Sequence, residues 1–146
     1  MDGIARPMDD PGCMEDRTEG KAAGRRDPRR LLGEGGEAAA ARWLRRAGLT
    51  IVARGFRVRC GEIDLIARDG PVVVFVEVKT RTHDAFLRPA EAVTSIKRGR
   101  IARVASAFLA RSGWTDRICR FDVVEVVPQG GRWRVTHIPD AFRLSD

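Results

Sequence analysis

The fold is decided by residues 61–79, which read GEIDLIARDGPVVVFVEVK. Residues 72–79 are β-branched or aromatic except for two charged positions near the end, and this composition predicts a strand. Side chains in a strand alternate between its two faces, so Phe75, Glu77 and Lys79 share one face while every second valine lies on the other. One face is therefore apolar, and the other ends in two opposite charges.

A hairpin should connect this strand to the one before it. Asp69-Gly70 is a strong signal for a two-residue turn, and a turn at that place pairs Asp64 with Phe75. Asp64 then lies diagonal to Glu77 on the same face, with α-carbons about 7–8 Å apart. Two carboxylates at this spacing can share one cation. A loop one residue longer would move Asp64 to the opposite face.

Hydrophobic periodicity defines the remaining elements. It predicts, in chain order, a helix at residues 34–47, strands at residues 49–53, 56–67 and 72–79, a helix at residues 95–111, and strands at residues 120–127 and 133–138. The first three strands should form an antiparallel meander, and the second helix allows a crossover to a parallel fourth strand. We expect an α/β three-layer sandwich in which helices flank a mixed central sheet.

The chain of 146 residues suits one domain. Residues 1–30 are rich in Gly, Pro, Asp and Arg and have no apolar period, so we predict a disordered tail followed by a single domain at residues 31–146. No stretch approaches the about 20 apolar residues that span a bilayer, and the tail has no apolar signal-peptide core. Three widely spaced cysteines without a CxxC pair fit a reducing compartment. We therefore expect a cytoplasmic protein that does not act in a membrane.

The chain is basic, with a formal net charge of +7. Residues 1–30 hold seven basic and seven acidic side chains, so the surplus belongs to the predicted domain. A basic globular surface attracts polyanions, with nucleic acid first among them. The alternative is that the charge serves solubility alone, and charge by itself does not separate these two explanations.

The two carboxylates and the neighbouring lysine suit metal-dependent phosphodiester chemistry. Clustered carboxylates repel each other, and Mg²⁺, which prefers hard oxygen ligands, removes that repulsion. Such an ion also activates water and neutralises charge on a phosphodiester, while Lys79 beside it would orient the water or stabilise the developing charge. The alternative for Glu77 and Lys79 is an ordinary surface Glu–Lys ladder. The predicted position of Asp64 on the same face of the neighbouring strand weighs against that alternative.

Three further residues are candidates for the same site. Glu37 lies on the apolar stripe of the first helix, where a carboxylate is costly without a partner. The alternative is an exposed residue favoured there by the helix dipole. Lys97 precedes the apolar stripe of the second helix and could contact a phosphate, or it is a lysine that extends into solvent from the helix edge. Glu62, near Asp64, is either an outer ligand or the partner of an arginine.

Basic residues on the second helix are candidates for binding nucleic acid. Together with Arg103 they give this helix a basic flank that suits a phosphate backbone, although charge runs are usually solvated faces. Arg81, just beyond the third strand, is a further candidate. The predicted nucleic-acid-binding residues are Arg81, Lys97, Arg98 and Arg100.

These segments together resemble the YraN-like family of small bacterial proteins. The resemblance extends over residues 31–142. It rests on GEAAAARWL at residues 36–44, GEIDLIA at residues 61–67, VFVEVKTR at residues 74–81, RFDVV at residues 120–124 and HIPDAF at residues 137–142. The family in turn resembles the PD-(D/E)XK superfamily, which includes restriction endonucleases and archaeal Holliday-junction resolvases.

The resemblance implies a restriction-endonuclease-like fold with a Mg²⁺-dependent site, at which Mn²⁺ can take the place of Mg²⁺. Asp64 matches the Asp of the motif, and Glu37 matches a helix-borne Glu in the resolvase-like branch. The metal ligands implied are Asp64, Glu77 and the carbonyl of Val78. The catalytic residues implied are Glu37, Asp64, Glu77 and Lys79.

The leading hypothesis is a Mg²⁺-dependent endonuclease that hydrolyses phosphodiester bonds in DNA, with branched or damaged forms as candidate substrates. One alternative is a module on the same fold that binds nucleic acid without cleaving it, although such a module does not need two neighbouring carboxylates. Another is a protein-interaction adaptor whose charge serves solubility. The pattern does not distinguish DNA from RNA, or a monomer from a homodimer.

Overall fold

The computed structural model of the chain describes residues 27–82 and 95–142. Within these residues, two helices and five strands follow one another in the predicted order. They are α1 (Pro28–Arg46), β1 (Thr50–Val58), β2 (Gly61–Asp69), β3 (Val72–Thr80), α2 (Ser95–Ser112), β4 (Cys119–Gln129) and β5 (Arg132–Phe142). Neither of these two helices is long and apolar enough to cross a membrane.

The strands form one mixed sheet in the order β1-β2-β3-β4-β5. The first three strands are the predicted antiparallel meander, β4 runs parallel to β3 after the α2 crossover, and β5 returns antiparallel. A buried cluster that includes Leu44 and Val74 joins α1 to one face of the sheet. A second cluster, with Phe75 and Phe108, joins α2 to the other face. The predicted three-layer α/β sandwich is therefore confirmed.

The first hairpin differs from the prediction. A turn at Arg59 and Cys60 ends β1 at Val58, so the single strand predicted for residues 56–67 is divided between β1 and β2. Arg and Cys are not residues that favour turns, so this hairpin carries no local signal. The β1–β2 hairpin is consequently longer than predicted.

The second hairpin turns at Gly70-Pro71 rather than at Asp69-Gly70. Gly70 has a φ of 59°, and the next residue is a proline whose ring holds φ near −65°. This combination fits a type II′ turn, which favours glycine at its first central position. The register moves by two residues from the predicted one, and the paired residues run from Asp69–Val72 to Leu65–Val76.

Helix α1 begins earlier than the predicted start at residue 34. Asp27 is its N-cap and accepts a hydrogen bond of 2.9 Å from the N–H of Arg29, and Pro28 occupies the first turn, where its missing N–H costs nothing. Residues 28–30, which were assigned to the predicted tail, are the first residues of α1. The rest of that prediction, residues 1–26, lies outside the described residues.

Gly36 lets α1 approach the sheet closely. A Cβ atom at this position would lie 2.2 Å from Thr80 Oγ1 and 2.8 Å from Val126 Cγ2, so only hydrogen fits there. The helix therefore rests its backbone on the ends of β3 and β4. The next residue along the helix is Glu37, one of the predicted site residues.

Candidate active site

The candidate site lies where β2 separates from β3. The paired register ends at Leu65–Val76, and beyond it the side chain of Asp64 makes the connection. Its Oδ2 accepts a hydrogen bond of 2.8 Å from the N–H of Val78. A carboxylate thus continues the contact between the two strands in place of the backbone.

The register corrects one relation predicted from the sequence. Ile66, not Asp64, pairs with Phe75. Because the shift is an even number of residues, Asp64 keeps its predicted face. Continuing the register by one pair beyond Leu65–Val76 sets Asp64 across from Glu77 instead of diagonal to it.

Glu77 is 9% exposed and is held by two lysines. Lys97 of α2 forms an ion pair with its Oε1 atom, and Lys79 Nζ lies 3.4 Å from the same oxygen. Lys97 therefore lies at the site with the carboxylate of Glu77 as its partner, and its contact with a phosphate stays a prediction. The contact joins α2 to β3 at the point where the charged face of β3 begins.

Glu37 reaches the same group of carboxylates from α1. Its side chain is half-buried and forms a hydrogen bond with Asp64. Burial, followed by the negative charge of Glu62, raises the pKa of Glu37, and the bond to Asp64 opposes that rise. Of the two predicted alternatives for Glu37, the structure shows the one with a partner in the site. Glu62 itself forms an ion pair of 2.8 Å with Arg57, which is the arginine-partner alternative.

The surroundings of the site shift the pKa values of three further groups. Burial and then the charge of Glu77 raise the pKa of Asp64 to about 8, against the hydrogen bond from Val78. Burial and the neighbouring Lys97 lower the pKa of Lys79, although Glu77 opposes the change. Burial acts against the charge on Lys97, but its bonds to Glu77 and Lys79 outweigh burial and raise its pKa.

The donor chemistry of the site fits Mg²⁺. Carboxylate oxygens are the hard ligands that this ion prefers, and a cation would offset the burial and the charge of Glu77, which together raise the pKa of Asp64. Across residues 27–82 and 95–142, no three acidic, histidine or cysteine side chains form a group ready to hold a metal. Metal binding would require Glu77 to exchange Lys97 for the ion. The Val78 carbonyl as a metal ligand stays a prediction. The structure shows the N–H of Val78, which donates a hydrogen bond to Asp64.

The predicted nucleic-acid-binding residues differ in their partners and exposure. Arg81 is half-buried, with its Nε 2.9 Å from Glu125 Oε1. Lys97 is engaged with Glu77, and Arg98 stacks on the ring of Phe142 with 5.2 Å to its centroid. Of the four, Arg100 is the one with an exposed side chain.

A second buried carboxylate was missed from the sequence. Asp122 is fully buried and binds Arg120 Nε at 3.0 Å, His137 Nε2 at 2.7 Å and the N–H of Asp140 at 2.9 Å. Burial acts to raise the pKa of Asp122, but these bonds outweigh it and leave that pKa lowered. An aspartate inside the apolar run RFDVV was the available signal. The network links β4 to β5 and serves the fold.

A mixed sheet with an aspartate where one strand separates from the next, and an ExK triplet on that next strand, is typical of the restriction-endonuclease-like class of proteins. Residues 36–126 match the family described as "Uncharacterised protein family UPF0102". The chain belongs to this family, which is classed in the restriction-endonuclease-like superfamily. The resemblance predicted from the motifs is thereby confirmed.

Three bacterial relatives match this chain over nearly their whole length. A UPF0102 protein of Symbiobacterium thermophilum is 55% identical over 114 residues, which are 77% of this chain and 97% of the relative. One from Geobacter metallireducens is 45% identical over 114 residues, covering 78% of this chain and 93% of its own. One from Nocardia farcinica is 50% identical over 115 residues, with 78% and 91% covered.

Proposed function

We propose that this protein is a Mg²⁺-dependent endonuclease that hydrolyses phosphodiester bonds in DNA. The observation that supports the proposal is the meeting of Asp64, Glu77 and Lys79 on neighbouring strands, with Glu37 joined to them from α1. The pKa of Asp64, raised by burial and by Glu77, is typical of functional sites. Mn²⁺ is expected to support the same reaction.

Each residue of the site has its own role in the proposed reaction. Asp64 and Glu77, with the Val78 carbonyl, would hold the metal, which when bound lowers the pKa of a water and neutralises phosphate charge. Lys79 orients the attacking water and stabilises negative charge that develops on the phosphate. Glu37, through its hydrogen bond with Asp64, holds that carboxylate in place.

A second candidate is a module that binds nucleic acid without cleaving it. The observation that favours it is the ion pair of Lys97 with Glu77, which neutralises the site without a metal. In that case Asp64→Asn should leave binding unchanged or improve it, because the substitution removes negative charge that repels phosphate. In an enzyme the same substitution abolishes cleavage.

The test compares cleavage by matched variants. Labelled four-way junctions, flaps, single strands and duplexes are incubated with the wild type in Mg²⁺, Mn²⁺ or EDTA. Asp64→Asn, Glu77→Gln and Lys79→Met should each lower the cleavage rate at least about 100-fold. Glu37→Gln should also lower it, whereas Glu34→Gln should not, because Glu34 is an exposed residue of the same helix that pairs with Arg30.

Metal titration calorimetry gives a second readout. Wild-type protein with duplex DNA should bind Mg²⁺ or Mn²⁺, and the variant with both Asp64→Ala and Glu77→Ala should not. Cleavage that survives in all the site variants would refute the assignment of the residues. Absence of both cleavage and metal binding in the wild type would refute the nuclease and leave the binding module.

A further inference from the structure

Helix α2 has an unusual charge distribution. Its 18 residues include five basic side chains and no acidic one. The five are Lys97, Arg98, Arg100, Arg103 and Arg111. The structure accounts for two of them, because Lys97 pairs with Glu77 and Arg98 stacks on Phe142. Arg111 contacts the ring of Phe56, and the side chains of Arg100 and Arg103 are exposed.

Arg100, Arg103 and Arg111 form one stripe along α2, which we call the α2 stripe. At about 100° per residue they fall within about 80° of one another around the helix, beside the buried stripe that contains Val104. Arg100 and Arg103 are exposed. Arg111 is half-buried, with its guanidinium 5.5 Å from the ring centroid of Phe56. The stripe therefore presents positive charge along the outer side of α2.

The two helices differ in their acidic residues rather than in the charges at their ends. Both carry basic residues in the first turn, with no acidic residue there, and arginine in the last turn. Helix α1 also contains Glu34 and Glu37, whereas α2 has no acidic side chain along its length. The exposed side of α2 therefore carries positive charge alone, which attracts a ligand with negative charge.

The α2 stripe leads away from the candidate active site. Lys97 touches Glu77, and Arg100 follows one turn later beside the β1–β2 turn, where its Cβ lies 3.8 Å from the position of a Cβ on Gly61. From Arg100 to Arg111 the helix rises about 16 Å. Since a duplex advances 3.4 Å per base pair, this length corresponds to about five base pairs.

We propose that the α2 stripe binds the phosphate backbone of duplex DNA next to the bond placed in the candidate site. This inference rests on the proposed function and names the form of its substrate. Single-stranded nucleic acid is bound through exposed aromatic rings on which bases stack. Phe108, which is the aromatic residue in the sequence of α2, is 7% exposed and packs in the core. The stripe therefore offers backbone contacts, which do not depend on base sequence.

The experiment measures how duplex binding depends on salt. Fluorescence anisotropy with a labelled 20-base-pair duplex is recorded over a KCl series in EDTA, so that no cleavage occurs. The test variant combines Arg100→Gln, Arg103→Gln and Arg111→Gln. Its matched control changes three exposed arginines of α1 in the same way. They are Arg42, Arg45 and Arg46.

Loss of three phosphate contacts has a calculable effect. The slope of log K against log salt should become shallower by about 2.7, because each contact contributes about 0.9. At 0.1 M KCl the affinity of the test variant should fall by up to about 500-fold relative to wild type. The α1 control should keep the wild-type slope. A labelled single strand should bind the wild type more weakly than the duplex.

Several results would overturn the inference. They are an unchanged slope in the α2 variant, an equal loss in the α1 control, stronger binding of the single strand, or no duplex binding by the wild type. The single variant Arg103→Gln, at an exposed position, should shift the slope by about 0.9 and guards against misfolding of the triple variant. Because the assay contains EDTA, its failure leaves the cleavage test of the proposed function unaffected.

Discussion

Replacing Gly36 with alanine tests how closely α1 must approach the sheet. Gly36 is a helical residue, so alanine should gain about 1 kcal/mol of helix propensity. The new methyl group, however, would lie 2.2 Å from Thr80 Oγ1 and 2.8 Å from Val126 Cγ2. Favourable contacts begin at about 3.5 Å, so the helix or these two side chains must shift by about 1 Å.

The magnitude follows from the balance of these two effects. Overpacking costs about 1–3 kcal/mol, which equals or exceeds the gain in propensity. Gly33 lies one turn earlier in α1, and a Cβ there has no neighbour within 4 Å. Gly33→Ala should therefore keep the whole gain of about 1 kcal/mol. We expect the free energy of unfolding of Gly36→Ala to be about 1–3 kcal/mol below that of Gly33→Ala.

Urea unfolding followed by circular dichroism measures this difference. The double variant Gly36→Ala with Thr80→Ala should recover part of the loss, because Thr80 contributes two of the three atoms nearest to the new Cβ, and we expect a coupling energy above about 0.5 kcal/mol. In a cleavage assay Gly36→Ala should be slower than Gly33→Ala, since a displaced α1 moves Glu37 away from Asp64. Equal stability of the two single variants would refute the reasoning.

The two buried carboxylates should respond to pH in opposite ways. The pKa of Asp64 is raised to about 8, so its stabilising contribution is complete below the unfolded-state pKa of about 3.9 and is lost as the pH rises through 8. The free energy of unfolding of Asp64→Asn should therefore increase relative to that of wild type as the pH rises from 4 to 8. A difference that shrinks over this range would contradict the assignment. The pKa of Asp122 is lowered, because bonds to His137 and Arg120 outweigh burial, so its contribution is present above about pH 3.9 and is lost below it. Asp122→Asn should lower the free energy of unfolding by about 3–5 kcal/mol at pH 7 and by less in acid. Urea unfolding at each pH measures this loss, and a loss that does not depend on pH would contradict this account.

The central hairpin shows what could be predicted from the sequence. The composition of β3 and the alternation of its faces identified Glu77 and Lys79 as neighbours, because strand geometry alone requires it. The position of the turn was wrong, since Asp69-Gly70 and Gly70-Pro71 are both acceptable turns and the sequence pattern does not choose between them. The predicted register was displaced by two residues, which is an even number, so each side chain was still assigned to the correct face of the sheet.

Contacts between distant elements were harder to predict. The pairing of Lys97 with Glu77 depends on where α2 crosses β3, which no local pattern encodes. The turn at Arg59 and Cys60 was missed because neither residue favours a turn. The Asp122 network was missed for a related reason, since two of its three partners, His137 and the N–H of Asp140, come from β5, whose register on β4 no local pattern encodes.

The contrast between Asp64 and Asp122 is itself an argument for function. Asp122 has Arg120 and His137 as partners, so its burial stabilises the native state. Asp64 is buried beside Glu77, and the charge of that neighbour works against its ionisation. A fold selected for stability alone would supply Asp64 with partners of the kind that Asp122 has. An arrangement that lowers stability at neutral pH is typical of functional sites. In the proposed enzyme, the ion pair of Lys97 with Glu77 would limit this cost until a cation binds.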